Sequence, residues 1–137
     1  MMPRVRHLTT ERNMKILIVE DNPAIRRMMR RMVADLAIEI CECGDGAEAL
    51  EAYRELQPDW VLMNLQMPHV NGLEATQQLL GYDPAAQVVI VSNYDDVALR
   101  AAAAQAGACG YVLKEDLFEV RTLLQAARTE PPSTEDA

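Results

Sequence analysis

The sequence predicts an α/β fold: a doubly wound sheet of five parallel strands with five helices on its two faces. Five short apolar runs alternate with five stretches of helical periodicity, and the series begins with a strand. This order implies right-handed crossovers between parallel strands. Four of the runs are continuously apolar, which is typical of strands covered on both faces. The 137 residues suffice for one well-buried core and are too few for two ordinary domains.

The predicted strands are short, and one of them differs in pattern from the other four. The runs lie at 15–19, 38–43, 60–63, 88–91 and 111–113. The second run, "IEICEC", alternates between apolar and polar residues. Such alternation indicates a strand with one solvated face, so we expect this strand at an exposed edge of the sheet.

The first predicted helix has the clearest apolar face. Apolar residues recur there at helical spacing: Ile25, Met28, Met29, Met32, Val33 and Leu36. Asn22 is predicted to cap the helix, and Pro23 fits the first helical position, where no backbone donor is needed. The same helix is predicted to expose a basic stripe of Arg26, Arg27, Arg30 and Arg31, which we interpret first as a solvated face.

Other helix boundaries are indicated by capping residues. An acceptor followed three residues later by an acid occurs at Asp45 with Glu48, Asn71 with Glu74 and Asp116 with Glu119. Gly107 is expected to end the Ala-rich fourth helix in a left-handed conformation.

Composition limits the classes of function. The formal charge of −8 argues against nucleic-acid binding, which needs an excess of clustered Lys and Arg. No apolar run approaches the roughly 20 residues that span a membrane, and no secretory signal is present, so we expect a cytoplasmic protein. We interpret residues 1–13 as a flexible extension, 14–128 as the domain and 129–137 as a disordered acidic tail.

A candidate site follows from the residues that come directly after the strands. Glu20 and Asp21 follow the first run, and single polar residues, Asn64, Ser92 and Lys114, follow three others. Ligands of doubly wound sheets bind beyond the carboxyl ends of the strands, so these side chains are expected to form one pocket. Adjacent carboxylates suit Mg²⁺, while Lys and Ser suit the oxygens of a phosphoryl group.

In these motifs the chain resembles a response-regulator receiver domain, a CheY-like fold with strand order 2-1-3-4-5. The resemblance rests on "VEDN", "MNLQMPHVNG", Ser92 and "GYVLK" in this order. It implies that Glu20, Asp21 and the backbone carbonyl of Gln66 bind Mg²⁺. It also implies that Ser92 and Tyr111 form a switch pair and that Lys114 contacts phosphate.

The sequence departs from the family pattern at Asn64, where receivers carry the Asp that accepts a phosphoryl group. A carboxamide is a poor nucleophile, so we expect no ordinary phosphotransfer at this position and no enzymatic activity. The amide oxygen of Asn64 is also expected as a Mg²⁺ ligand, and it should bind the ion more weakly than a carboxylate because it is neutral. The NH₂ group of Asn64 has potential acceptors in Glu20, Asp21 and Ser92, which would give a metal-free pocket.

Three interpretations of Asn64 remain open. The chain is a pseudo-receiver that acts by protein–protein interaction, or an ordinary receiver in which an engineered Asp-to-Asn change traps the unphosphorylated state. The remote alternative is an aspartyl-nucleophile hydrolase on a related fold, although "EDNP" and "NLQMP" lack the expected D-x-D pattern.

The resemblance also predicts the partners: a histidine kinase or a downstream protein target, with possible homodimerisation through the fourth helix, fifth strand and fifth helix. We expect a stand-alone module, because few residues follow Arg128. His69 lies in the loop after Asn64, so its side chain either approaches the pocket or is exposed to solvent. Glu115 follows Lys114 where many receivers have a cis-proline, and the sequence leaves the geometry of that bond open.

Overall fold

A computed structural model describes residues 13–129, so most of the predicted extension 1–13 and tail 129–137 lies outside the described residues. The elements alternate as predicted, with two additional short 3₁₀ turns. The strands are β1 (Met14–Val19), β2 (Ala37–Cys43), β3 (Trp60–Asn64), β4 (Val88–Ser92) and β5 (Gly110–Leu113). The helices are α1 (Pro23–Val33), α2 (Ala49–Leu56), α3 (Gly72–Tyr82), α4 (Val97–Ala106) and α5 (Phe118–Thr129).

The five strands form one parallel sheet in the order β2-β1-β3-β4-β5, which confirms the predicted fold. Every residue of β3 and β4 is buried, as their continuous apolar runs predict. β2 lies at an edge and has five partly or fully exposed residues between its ends, in agreement with its alternating sequence.

The core has two layers, one on each face of the sheet. Side chains of α1 and α5 pack on one face around Ile16, Ile18 and Leu62. Side chains of α2, α3 and α4 pack on the other face around Leu17, Met63 and Ile90. None of the helices among residues 13–129 is long and apolar enough to cross a membrane.

Most predicted helix boundaries are confirmed by hydrogen bonds. Asn22 Oδ1 accepts from the backbone N–H of Ala24 and Ile25, and Asn71 Oδ1 accepts from Glu74 N–H. Gly107 ends α4 with a φ of +106°, a left-handed conformation in which glycine carries no Cβ penalty.

Two helix predictions need correction. Met28, predicted on the apolar face of α1, is 46% exposed. Asp116 does not cap α5: it ends a short 3₁₀ turn, Lys114–Asp116, and the helix begins two residues later at Phe118. Spacing does not fix how wide the buried face of a helix is, and in α1 the fully buried residues are Met29 and Val33.

The basic stripe of α1 is partly paired. Arg26 and Arg30 both form ion pairs with Glu42 of β2, and Arg26 also donates to the backbone carbonyl of Glu20. Arg27 and Arg31 are exposed. The stripe thus joins α1 to the edge strand through two of its four members.

Candidate functional site

The predicted site residues meet at the carboxyl edge of the sheet. The last residue of β1, Val19, pairs with Met63 of β3, so Glu20 lies beside Asn64. Ser92 of β4 pairs with Leu113 of β5, so Lys114 lies at the same edge. A cavity of about 330 Å³ lies there. Its lining residues are Glu20, Asp21, Asn22, Ile25, Asn64, Leu65, Gln66, Ser92, Asn93, Tyr94 and Lys114.

Glu20 is the buried carboxylate of the pocket, with 0% of its surface exposed. Its Oε2 accepts from the backbone N–H of Asn22 at 3.0 Å, and its Oε1 forms an ion pair with Lys114 Nζ at 3.2 Å. Burial raises the pKa of Glu20 above its ordinary value, while the Asn22 N–H and the Lys114 charge oppose this shift. Asp21, the second predicted carboxylate, is exposed.

Asn64 is buried at the end of β3, and its amide nitrogen faces three oxygen atoms. Nδ2 lies 2.7 Å from the carbonyl oxygen of Gln66, 3.0 Å from Asp21 Oδ1 and 3.3 Å from Glu20 Oε2. The expected hydrogen bonds to Glu20 and Asp21 are therefore present. The third acceptor is Gln66 and not Ser92, which was the other predicted partner.

Ser92 lies in the pocket, whereas Tyr111 is not among its lining residues. Ser92 Oγ accepts from the backbone N–H of Tyr94 at 3.0 Å. The hydroxyl of Tyr111 donates to the carbonyl oxygen of the same residue at 2.7 Å, and the guanidinium of Arg100 lies 4.7 Å from the centre of the Tyr111 ring. Both members of the predicted switch pair thus hold the backbone of Tyr94.

Sequence reasoning missed Tyr94 and the role of Asp45. Tyr94 follows β4 by two residues in a loop without periodicity, so no pattern singles it out. Asp45 was predicted only as a helix cap, and it does accept from Ala47 N–H at 2.8 Å. It also accepts from the backbone N–H groups of His69 and Val70 across the fold, which anchors the loop after β3.

The loop histidine does not enter the pocket. The side chain of His69 is 81% exposed, and its Nδ1 lies 3.1 Å from Asp45 Oδ2. No cis peptide bond occurs among the described residues, so the bond between Lys114 and Glu115 is trans.

The comparisons with known proteins agree with this arrangement. Residues 16–128 match the family model of the response regulator receiver domain. The chain belongs to this family. It is therefore a receiver domain of two-component signalling, and such domains are generally non-enzymatic signalling modules that typically bind Mg²⁺ at their acidic site.

Individual relatives are similar over most of the receiver domain. The chemotaxis protein CheY of Thermotoga maritima is 34% identical over 101 residues, 73% of this chain and 84% of that protein. The response regulator GacA of Pseudomonas aeruginosa is 38% identical over 104 residues, and the matched region is 48% of GacA, so the chain spans about half the length of that relative.

The solved structures show the same fold. A crystal structure of a LuxR-family two-component response regulator from Aurantimonas has a TM-score of 0.78 and 34% identity, with 85% of each chain covered. The receiver domain of the putative response regulator NarL from Mycobacterium tuberculosis has a TM-score of 0.73 and 26% identity, with 86% of this chain covered.

The donors expected for Mg²⁺ converge, but as arranged they do not fit a cation. Two carboxylates and one carbonyl are hard oxygen ligands of the kind Mg²⁺ prefers. The atom within hydrogen-bond distance of all three is the NH₂ nitrogen of Asn64, whose hydrogens carry partial positive charge. Within residues 13–129 no cluster of three or more His, Cys, Asp or Glu side chains is placed to hold a metal ion.

Proposed function

We propose that this receiver domain signals without a phosphoryl group on residue 64 and acts by binding a protein partner. The observation that carries the proposal is the buried carboxamide of Asn64, beside Glu20 and Asp21 at the end of β3. A carboxylate oxygen at this position attacks phosphorus and forms an acyl phosphate, whereas a carboxamide has no charged oxygen for this step. We assign Asn64 to the phosphoacceptor position of the family.

The other residues of the pocket have proposed roles that follow from their chemistry. The oxygens of Glu20, Asp21 and the Gln66 carbonyl correspond to the cation ligands, and Asn64 weakens Mg²⁺ binding there. Lys114 corresponds to the phosphate-contacting cation; its side chain is 13% exposed and is paired with Glu20. Ser92 and Tyr111 correspond to the switch pair.

The output surface of the proposed module consists of α4, β5 and α5. Three observations support it: Tyr111 connects this surface to the pocket loop through Tyr94, Val97 at the start of α4 is 85% exposed, and Phe118 at the start of α5 is 66% exposed. Burial of these two side chains against a partner would contribute favourably to binding. A histidine kinase or a downstream target is the proposed partner, and homodimerisation through the same surface is the proposed alternative contact.

The decisive experiment compares the protein with its Asn64→Asp variant. Both are incubated with acetyl phosphate and Mg²⁺, and their intact masses are measured. We expect one phosphoryl adduct on Asn64→Asp and none on the parent protein. An adduct on the parent would overturn the proposal, because it would place an active acceptor elsewhere in the chain.

A second function, that of an ordinary receiver with an engineered Asp-to-Asn change at 64, is favoured by a specific observation. Ser92 and Lys114, whose hydroxyl and ammonium groups suit the oxygens of a phosphoryl group, both remain in the pocket. Partner binding separates the two functions. The pseudo-receiver binds its target as Asn64, whereas the ordinary receiver binds only as phosphorylated Asn64→Asp.

The cellular setting is also a proposal. The domain is expected to act in the cytoplasm, and localisation of a fluorescent fusion of the chain tests this.

A further inference from the structure

The amide of Asn64 occupies the place where the three oxygen groups converge. Its nitrogen lies between 2.7 and 3.3 Å from Gln66 O, Asp21 Oδ1 and Glu20 Oε2. These distances lie within or close to the usual range for an N–H···O hydrogen bond. The orientation of the amide follows from its surroundings: rotated by 180°, it would place Oδ1 against three oxygens with no hydrogen between them.

The contacts of this nitrogen join three segments of the chain. Glu20 and Asp21 follow β1, Asn64 ends β3, and Gln66 begins the loop that leads to α3. Asn64 lies 43 residues after Asp21 and 44 residues after Glu20 in the chain. A cation bound to the same oxygens would join the same three segments.

Glu20 already has internal partners for its charge. Oε1 is paired with Lys114 Nζ at 3.2 Å, and Oε2 accepts from Asn22 N–H at 3.0 Å in addition to Asn64. Glu20 is 0% exposed and Asn64 is 4% exposed, so these contacts are largely shielded from solvent. Lys114 thus supplies a counter-charge to Glu20 inside the protein, while, within the described residues, both hydrogen bonds go to Oε2 and none goes to Oε1.

We propose that the Asn64 carboxamide is a built-in replacement for the divalent cation. Its NH₂ group holds the ends of β1 and β3 and the following loop together, and a cation can enter only when that group leaves. The inference rests on the proposed function in taking residue 64 as part of the cation pocket. It concerns cation exclusion and not phosphotransfer, so the two can fail separately.

The proposal differs from a simple weakening of Mg²⁺ binding, and the Asn64→Ala variant separates the two. If the amide oxygen is a weak ligand, alanine removes a ligand and Mg²⁺ binds less tightly than in the parent. If the amide nitrogen blocks the site, alanine frees three oxygen ligands and Mg²⁺ binds more tightly. We expect a gain of about tenfold or more, the factor that corresponds to losing one hydrogen bond to a charged group.

The measurement is isothermal titration calorimetry of Mg²⁺ into the parent, Asn64→Ala and Asn93→Ala. Asn93 is a matched control, since it is a second amide that lines the same cavity but lies exposed at the surface. We expect Asn93→Ala to bind Mg²⁺ as the parent does. A Kd for Asn64→Ala that equals or exceeds that of the parent would overturn the proposal.

If circular dichroism shows that Asn64→Ala does not fold, a second measurement on the parent protein still tests the proposal. In the parent protein, the side-chain NH₂ resonances of Asn64 are followed by ¹⁵N NMR during an Mg²⁺ titration. We expect slow hydrogen exchange of these protons and no shift at Mg²⁺ concentrations that saturate Asn64→Asp. Rapid exchange, or a shift in that range, would contradict the blocking role of the amide.

These outcomes are independent of the phosphorylation test. Asn64→Ala has no acceptor at position 64, so its Mg²⁺ affinity does not depend on whether the Asn64→Asp variant accepts a phosphoryl group. A phosphoryl adduct on the parent would overturn the proposed function and leave the calorimetric comparison valid.

Discussion

Replacing Gly72 by alanine is expected to destabilise the protein, because the first residue of α3 packs against the backbone of the pocket. A Cβ atom at residue 72 would lie 2.1 Å from the carbonyl oxygen of Asn64 and 3.0 Å from Cα of Leu65. No rotamer change can move these backbone atoms. The start of α3 must therefore shift, which strains the hydrogen bond from Gly72 N–H to Leu65 O, now 2.8 Å long.

The expected magnitude is the sum of two contributions. Overpacking in a buried contact costs about 1–3 kcal/mol, and a lost backbone hydrogen bond costs about 1 kcal/mol. The free energy of unfolding of Gly72→Ala should therefore fall by about 2–4 kcal/mol. Urea unfolding followed by fluorescence measures this change, since Trp60 is the single tryptophan and is 7% exposed at the start of β3.

Gly81→Ala is the matched control in the same helix. A Cβ atom at residue 81 would have no heavy atom within 4 Å. Alanine is favoured over glycine within helices, so this variant should gain up to about 1 kcal/mol. A Gly72→Ala protein within about 0.5 kcal/mol of the parent would refute the close approach of α3 to Asn64.

Three further substitutions test contacts outside the pocket. The pKa of Asp45 is lowered, mainly by the hydrogen bond from the Ala47 N–H. The ionised carboxylate therefore stabilises the fold fully above the ordinary pKa range of Asp, and this contribution is lost as pH falls through the lowered pKa. Asparagine keeps one acceptor oxygen where the carboxylate has two, so Asp45→Asn should lose about 1 kcal/mol of unfolding free energy near neutral pH. The decline of its unfolding free energy in acid should be shallower, as measured by urea unfolding across pH. Tyr53→Phe removes a 2.7 Å hydrogen bond to Asp83 and should lower the melting temperature, at a cost of about 1–2 kcal/mol; an unchanged value would contradict that bond. Glu42→Ala should cost less than about 1 kcal/mol, and the difference should shrink at high salt, because its two arginine partners are partly solvent-exposed.

The sheet could be predicted from the sequence because its signals are local. A continuous apolar run such as "VVIV" indicates a strand that is buried on both faces. The residue that follows each strand lies at the carboxyl edge of a parallel sheet. The sequence therefore predicted one pocket for four residues, and in the structure all four line the same cavity: Glu20, Asn64, Ser92 and Lys114. The predicted caps at Asn22 and Asn71 are local in the same sense, since donor and acceptor lie within one helical turn.

The remaining features depend on contacts between distant segments. Asp45 accepts from His69 and Val70, which lie 24 and 25 residues away, and no spacing rule connects them. Tyr111 was expected only as a member of the switch pair, and no spacing rule connects its hydroxyl to the carbonyl of Tyr94, 17 residues away. The sequence also left open which donor and acceptor the Asn64 amide would use, because that choice depends on three oxygens that only the fold brings together.

The charges that line the pocket favour an amide at residue 64 over a third carboxylate. Glu20 and Asp21 contribute two negative charges, and Lys114 contributes one positive charge. An aspartate at position 64 would add a third negative charge within reach of the other two, and like charges at this separation destabilise each other unless a cation lies between them. The Asn64 amide removes that charge and supplies hydrogens to the same oxygens. Under the proposed function, the amide at residue 64 therefore removes both the need for a cation and the capacity to accept a phosphoryl group, because both depend on a carboxylate at that position.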